Sequence, residues 1–292
     1  MSEGKATSFD AVVPTGWLTA YGRSFSDIPY ARELFDELEH VKIATHSAVT
    51  LDGIKDSKLA AKFEARYKLI DRIAQGLGST QILELASGLS TRGMAMAENP
   101  AVQYVEVDLP LMMSDKRKIC TRLQQRGIIP IRPNLYLENG NAINFSDVER
   151  ATRHFTTSKP VIVITEGLLR YLTFAEQQAH AKIVAKVLKK FGGTWITPDI
   201  SLVHTTHGEA GVTAARRKKI AQLTGKNVSE NRFLNMKHAV KFFEDMGFKV
   251  QRHNFLEVAG QLVSPGKLGL TPEYVTQTLS GAVAFEMQLR TH

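Results

Sequence analysis

ILELASGLSTRG, residues 82–93, decides how this 292-residue chain is read. Its first half is an apolar run interrupted by Glu84; its second half is small and polar, and holds Gly88 and Gly93. A buried strand, a glycine-broken turn and the start of a helix, in that order, open a parallel α/β unit. In such units ligands bind beyond the carboxyl ends of the strands. Gly88 lets the backbone turn sharply or come close to a ligand.

Outward from this stretch, short apolar runs alternate with amphipathic ones. QILELA (81–86), QYVEVDL (103–109), LYLEN (135–139), VIVIT (161–165) and TWITPD (194–199) read as strands, with helices near 91–98, 111–126, 146–154 and 173–191 between them. The alternation predicts an α/β fold with a parallel sheet covered on both faces. NMKHAVKFFEDMGF (235–248) reads as another helix; KVQRHNFL (249–256) and GAVAFEMQL (281–289) read as final strands without a crossover helix between them, which predicts an antiparallel strand at the end of the sheet. Upstream, residues 1–78 read as helical. SKLAAKFEARYKLIDRIAQGLG (57–78) offers Ser57 as N-cap and Gly76 or Gly78 as stop. Its apolar stripe, Leu59, Phe63, Arg66, Ile70, Ile73 and Leu77, is spaced 4, 3, 4, 3, 4 and includes an arginine. A guanidinium there is costly unless paired, so Arg66 either snorkels to the edge or meets an anion at the mouth of the sheet.

The expected organisation is one domain over 1–292: a helical cap (1–78), a binding core (79–200), an insertion serving as substrate lid (200–235) and the C-terminal part of the sheet (236–292). The longest apolar run, VIVI (161–164), is too short to cross a bilayer. The start, MSEGKATSFDAVV, lacks a secretory signal pattern, and Cys120 is the only cysteine, which excludes an intramolecular disulfide or a cysteine-rich metal site. A cytoplasmic protein is expected, with its oligomeric state open. The formal net charge of +8 raises nucleic acid as a partner. In AKIVAKVLKK (181–190), however, Lys182, Lys186, Lys189 and Lys190 share one face opposite Ile183, Val184, Val187 and Leu188, the pattern of a solvated helix. SDKRKICTRLQQR (114–126) and AARRKKIAQL (214–223) are denser, but no aromatic stacking motif accompanies them, so nucleic acid is disfavoured.

The strand ends carry the chemistry. The first delivers Glu84, Ala86, Ser87 and Gly88; the second delivers Asp108, twenty residues after Gly88, with Glu106 on the same side of the pleat; the fourth delivers Glu166 and Gly167. Asp108 suits a carboxylate gripping a ribose diol. A G-x-G-x-x-G fingerprint is absent, the nearest register being A-x-G-x-x-x-x-G from Ala86 to Gly93, so a dinucleotide diphosphate is poorly served. A sulfonium cofactor asks instead for close backbone approach, a diol-binding carboxylate and acidic groups near a cation. Glu84, Asp108 and Glu166 favour S-adenosylmethionine over NAD.

In order and spacing, ILELASGLSTRG, YVEVDLP and ITEGLLRYL resemble the leucine carboxyl methyltransferase family, the bacterial polyketide O-methyltransferase branch above all, over roughly residues 20–200. The resemblance implies a class I methyltransferase Rossmann-like fold with a seven-stranded, mostly parallel sheet and helices before it. It implies S-adenosylmethionine as cofactor and S-adenosylhomocysteine as product. It places the glycine-rich turn on Ala86, Ser87 and Gly88, the ribose carboxylate on Asp108, and a glutamate near the methionine part on Glu166, with Tyr171 in the adjoining pair. It puts the arginine for the cofactor's carboxylate on Arg66, with Arg23 of GRSFSDIPYA (22–31) as a second candidate. Two positions depart from the pattern. Ala86 replaces a glycine, adding a methyl group. GNAIN (140–144) stands where an acidic residue commonly meets the adenine amine; the Asn141 side-chain oxygen still accepts that bond, and Ala142 offers its amide to the ring.

A carboxylate acceptor needs no base, whereas a phenol or alcohol does. PDISLVHTTHG (198–208) follows the fifth strand and makes Asp199, His204 and His207 candidates for base or substrate contact; the histidines read equally as solvated loop residues, and no metal site is expected of them. Arg170 and Tyr171 either face the acceptor or, for Arg170, start an exposed helix. Glu84 reads as ligand contact or as a structural group bonding loop amides, and Cys120 as a packing residue. The expected function is S-adenosylmethionine-dependent O-methylation of a small-molecule carboxylate or hydroxyl, with secondary metabolism as the expected setting. The alternatives are a nucleic-acid methyltransferase using the basic surface and a cofactor-binding protein without transferase activity.

Overall fold

The computed structural model of the chain describes residues 13–40, 57–203 and 231–290. Seven strands, β1 (Gln81–Leu85), β2 (Gln103–Asp108), β3 (Leu135–Asn139), β4 (Val161–Thr165), β5 (Gly193–Thr197), β6 (Phe248–Asn254) and β7 (Val283–Leu289), form one sheet in the order β3-β2-β1-β4-β5-β7-β6. β1 to β5 are parallel, and β7 runs antiparallel to both β5 and β6. Chain order reverses between β1 and β4, the switch point at which such sheets open a crevice.

The pleat sorts the core by parity. Leu83, Leu85, Val105, Val107, Val161, Val163 and Trp195 face one cluster, shared with α6 (Phe145–Ala151), α7 (Phe174–Phe191) and α8 (Met236–Glu244). Ile82, Tyr104, Ile162, Ile164 and Ile196 face the other, against α3 (Ala60–Leu77) and α10 (Pro272–Leu279). Phe63, Arg66, Ile70 and Ile73 of the α3 stripe are buried as their spacing requires, while Leu59 and Leu77 at its ends are half-buried. α1 (Val13–Arg23) and α2 (Ala31–His40) pack through Trp17, Leu34, Phe35 and Leu38 on Met112, Ile119 and Leu123 of α5 (Pro110–Gln125). Buried Glu37 accepts hydrogen bonds from Arg122 and Arg126, fastening this cap to the core. Cys120 lies in the same cluster, where burial pushes its thiol up to about 11, as befits a packing residue.

Several boundaries differ from the sequence expectation. Ser57 does not cap α3: it opens a 3-10 turn (Ser57–Leu59), and α3 starts at Ala60 without a side-chain cap and stops at Gly78, φ 64°. The helix expected at 91–98 is only the short α4 (Arg92–Met96), cut off ahead of Asn99-Pro100. β5 ends at Thr197 because Pro198 has no amide to continue the ladder. The segment between β6 and β7 does hold helices: a 3-10 stretch (Phe255–Gln261), α9 (Ser264–Leu268) and α10, packed on α3. Pro265, Gly266, Gly269 and Pro272 break the periodicity that would have announced them. The antiparallel sense of β7 stands all the same.

Lys182, Lys186, Lys189 and Lys190 are exposed on α7 opposite its buried face. Lys116, by contrast, lies wholly buried against Glu106, so the 114–126 run is not one solvated face. The 214–223 run falls outside the described residues. Among the described residues no helix is long and apolar enough to cross a membrane.

Candidate active site

A cavity of about 350 Å³ opens at the carboxyl ends of β1, β2 and β4. Its floor is the turn after β1. Ala86 and Gly88 both adopt the left-handed conformation, φ 56° and 53°, which bends the chain away from the sheet. For Ala86 that conformation costs roughly 1–2 kcal/mol more than for glycine, so the substitution strains the turn as well as adding a methyl group. At Gly93 a Cβ would lie 2.3 Å from Glu106 Oε1 and 2.8 Å from Leu135, so only glycine lets α4 sit this close to the sheet. Gly88 N donates to Asp108 Oδ2 at 2.6 Å and Leu109 N donates to Oδ1 at 2.7 Å. Asp108 therefore clasps two loops while its half-buried carboxylate lines the cavity. Burial raises its pKa, and the two amides pull it back down.

Across the cavity lies a network of buried charges. Glu166, just beyond β4, accepts from Arg23 Nη2 and Arg66 Nε (2.8 Å) on Oε1 and from Arg92 Nη2 (2.9 Å) on Oε2. Burial alone would raise its pKa; the guanidiniums of Arg23, Arg66 and Arg92 overwhelm that and hold the carboxyl well below the usual range. Arg66 meets an anion, as one of its two readings had it, and the anion is the protein's own Glu166. Burial lowers the Arg66 pKa and Glu166 restores part of it. Arg92 was not singled out by the sequence reading. It is fully buried, reaches Asp71 (2.5 Å), Glu84 and Glu166 at once, and lies 4.2 Å from the Tyr67 ring centroid. Its signal was available: a lone positive charge at the first residue of a helix, the end that repels cations, needs anions nearby. Glu84 spends its oxygens on Arg92 and on the Tyr104 hydroxyl (2.7 Å), so it bonds side chains rather than loop amides, although it also borders the cavity. Asp71 is pushed up to about 6 by burial, against the pull of Arg92.

The remaining walls come from three loops. Asn141 and Ala142, after β3, line the cavity; Asn141 Oδ1 accepts from Ile143 N at 3.1 Å, which leaves it a lone pair. Arg170 and Tyr171, in the 3-10 turn Leu169–Tyr171, also line it, and Arg170 Nε is buried without a hydrogen-bond partner. Asp199 lies elsewhere: it is buried and accepts from the amides of Gly167 (2.9 Å), Leu168 (2.7 Å) and Leu169 (3.0 Å), clamping the turn that carries Glu166 and Arg170. Its oxygens are committed to the backbone, which differs from the expected substrate contact. His204 and His207 lie outside the described residues. Phe63 of α3, Gln277 of α10, and Ser280 and Gly281 in the turn before β7 also line the cavity, and no motif marks them.

The site suits an adenosyl sulfonium amino acid. Asp108 presents acceptor lone pairs at the rim, Arg23 keeps a buried Nε without a partner in the opposite wall, and Arg23, Arg66 and Arg92 pair with Glu166, Glu84 and Asp71. The family model for leucine carboxyl methyltransferase matches residues 25–185, more than half of the chain.

The chain belongs to the leucine carboxyl methyltransferase family.

The family's enzymes are class I methyltransferases dependent on S-adenosylmethionine, and the seven-stranded, mostly parallel sheet of this family member is the one its resemblance implied. No curated protein matches the chain. Among solved structures it is similar to an O-methyltransferase family protein from Burkholderia thailandensis (12% identity, 87% of this chain and 63% of that one, TM-score 0.48). It is similar also to magnesium protoporphyrin IX methyltransferase from Synechocystis with bound S-adenosylhomocysteine (11%, 88% and 94%, 0.47). A third is phosphoethanolamine N-methyltransferase 2 from Haemonchus contortus in complex with S-adenosylmethionine (11%, 77% and 53%, 0.45). The chain thus spans less than two thirds of the length of the Burkholderia protein.

Proposed function

We propose that this family member transfers the methyl group of S-adenosylmethionine to an oxygen of a small molecule, a carboxylate or a hydroxyl. The observation that carries the reading is the pairing, across one cavity, of a backbone-held Asp108 with the Arg23–Arg66–Glu166 cluster. The cofactor, when bound, supplies a methyl group on a sulfonium for in-line displacement. Asp108 accepts from ribose hydroxyls. Arg23 and Arg66 meet the amino-acid carboxylate while Glu166 holds both guanidiniums in place and supplies negative charge nearby. Asn141 Oδ1 and the Ala142 amide serve the adenine. The chain's main contribution is then positioning and exclusion of water.

Arg170, with its unpartnered Nε at the cavity wall, suits an acidic acceptor, and Tyr171 beside it bounds the acceptor position. A carboxylate acceptor needs no proton removed. For a hydroxyl acceptor, His204 or His207, both outside the described residues, takes the proton. A compartment that supplies the cofactor is required, and we place the protein in the cytoplasm.

The test is incubation with methyl-labelled S-adenosylmethionine and a panel of small carboxylic acids, phenols and alcohols, with RNA and DNA alongside. Label in a small acid or phenol is expected. Label in nucleic acid alone would favour the basic surface as a docking face, and cofactor binding without any transfer would make this a binding protein rather than an enzyme.

A further inference from the structure

One buried polar chain beside the cavity is not used by the reading above. His180 of α7 has no exposed surface and does not border the cavity, yet it connects the middle of the sheet to the loop after β3. Trp195 Nε1–H donates to Thr165 Oγ1 at 3.1 Å. Thr165 Oγ1 and His180 Nε2 are 3.1 Å apart, and His180 Nδ1 is 2.9 Å from the Ala142 carbonyl oxygen. An indole nitrogen only donates and a carbonyl only accepts, so the outer bonds are fixed and, with the ring neutral, the middle one follows. The Thr165 hydroxyl hydrogen therefore turns to Nε2, and Nδ1 carries the proton given to Ala142. Burial drives the imidazole pKa down to about 4, consistent with this neutral form.

The other bonds that shape the 140–144 turn come from the end of β2, from α6 and from the turn itself. Gly140 N donates to Asp108 O (2.9 Å), Asn141 N to Asp147 Oδ2 (3.0 Å), Ile143 N to Asn141 Oδ1 (3.1 Å) and Asn144 N to Asn141 O (2.8 Å). Of these partners Asp108, at the end of β2, and His180, on α7, are remote in sequence; Asp108 extends the β2–β3 pairing, whereas His180 grips the Ala142–Ile143 peptide within the cavity-lining stretch 140–143. We propose that His180 is a positioning residue for nucleobase recognition: through the Ala142 carbonyl it sets the orientation of the turn on which the adenine is read. The inference rests on the proposed placement of adenine at Asn141 and Ala142.

Two substitutions separate the halves of the chain. In His180→Asn the amide nitrogen occupies the place of Nδ1 and keeps the bond to Ala142; in His180→Gln the amide reaches the place of Nε2 and keeps Thr165 but releases Ala142. Both are compared with wild type by calorimetric binding of S-adenosylhomocysteine and of S-inosylhomocysteine, in which an oxo group replaces the 6-amine, with melting temperatures measured in parallel. Wild type is expected to prefer the adenosyl compound. His180→Gln is expected to bind it about 5–10-fold more weakly, the worth of one hydrogen bond, and to lose most of its preference over the inosyl compound. His180→Asn is expected to keep both affinity and preference despite a lowered melting temperature. Unchanged preference in His180→Gln, or equal losses in both variants, overturns the positioning role. If neither variant folds, Thr165→Val, which removes only the hydroxyl that orients the ring, carries the test, and a wild-type preference in it overturns the proposal. A wild type that binds neither compound overturns the proposed function itself.

Discussion

Asp108 and Glu166, two of the acidic residues that line the cavity, are held in opposite ways. Asp108 is half-buried and gripped by two neutral backbone amides, at 2.6 and 2.7 Å. Glu166 is buried and gripped by three guanidiniums. Amides orient a carboxylate without consuming its charge or all its lone pairs, so Asp108 remains an acceptor for neutral hydroxyls. Glu166 is the keystone of a buried ion network whose other members would be intolerable without it. On the proposed reading Asp108 touches the ligand directly, and Glu166 acts through the arginines it holds.

The largest effect should come from the network. Arg92→Met strips one cation from Asp71, Glu84 and Glu166 together, and leaving buried charges unpaired costs about 3–5 kcal/mol; urea denaturation should show a loss of that order, and a loss under 1 kcal/mol would mean the three carboxylates need no common partner.

Glu166 should also leave a mark on acid stability. Its folded pKa lies below the ordinary glutamate value of 4.5, so its contribution is fully present above 4.5 and is lost as pH falls through the folded value. Stability should therefore drop below pH 4.5, and Glu166→Gln should flatten that limb; Asp108, whose folded pKa is raised, acts in the opposite sense.

The third effect is on binding. Asp108→Asn preserves shape but not charge, and is expected to weaken S-adenosylhomocysteine more than tenfold, about 1.4 kcal/mol, with a smaller change in urea stability than Arg92→Met. The smallest effect is local: Ala86→Gly relieves the left-handed strain at φ 56° and should stabilise the protein by roughly 0.5–1 kcal/mol after the entropy of the added glycine, read from the same urea curves.

The same contrast explains what the sequence could tell. Asp108 was legible because a carboxylate at a strand end, twenty residues past a glycine turn, is a local pattern. VIVIT was legible because a buried parallel strand is a continuous apolar run, and it matches the observed limits, as does LYLEN, the half-buried edge strand β3. Arg66 stood out as a charge on an apolar stripe. Its partner did not, because the Arg66–Glu166 contact joins residues one hundred positions apart. Arg92 escaped for a related reason: each of its three carboxylates lies on a different element, and only tertiary packing collects them. Asp199 was found as a polar residue at the right strand end, but sequence alone could not reveal that the next turn's amides use its oxygens. The turn before β7 was invisible because its cavity-lining residues form no chemical pattern, and the helices leading to it are broken by prolines and glycines.

The most direct test of the central claim is calorimetric titration of wild type and Asp108→Asn with S-adenosylhomocysteine, with NAD as control. The account predicts clear binding of S-adenosylhomocysteine by wild type, none of NAD, and a loss of more than tenfold in the folded variant. Equal affinities in the two proteins, or a preference for NAD, would contradict it.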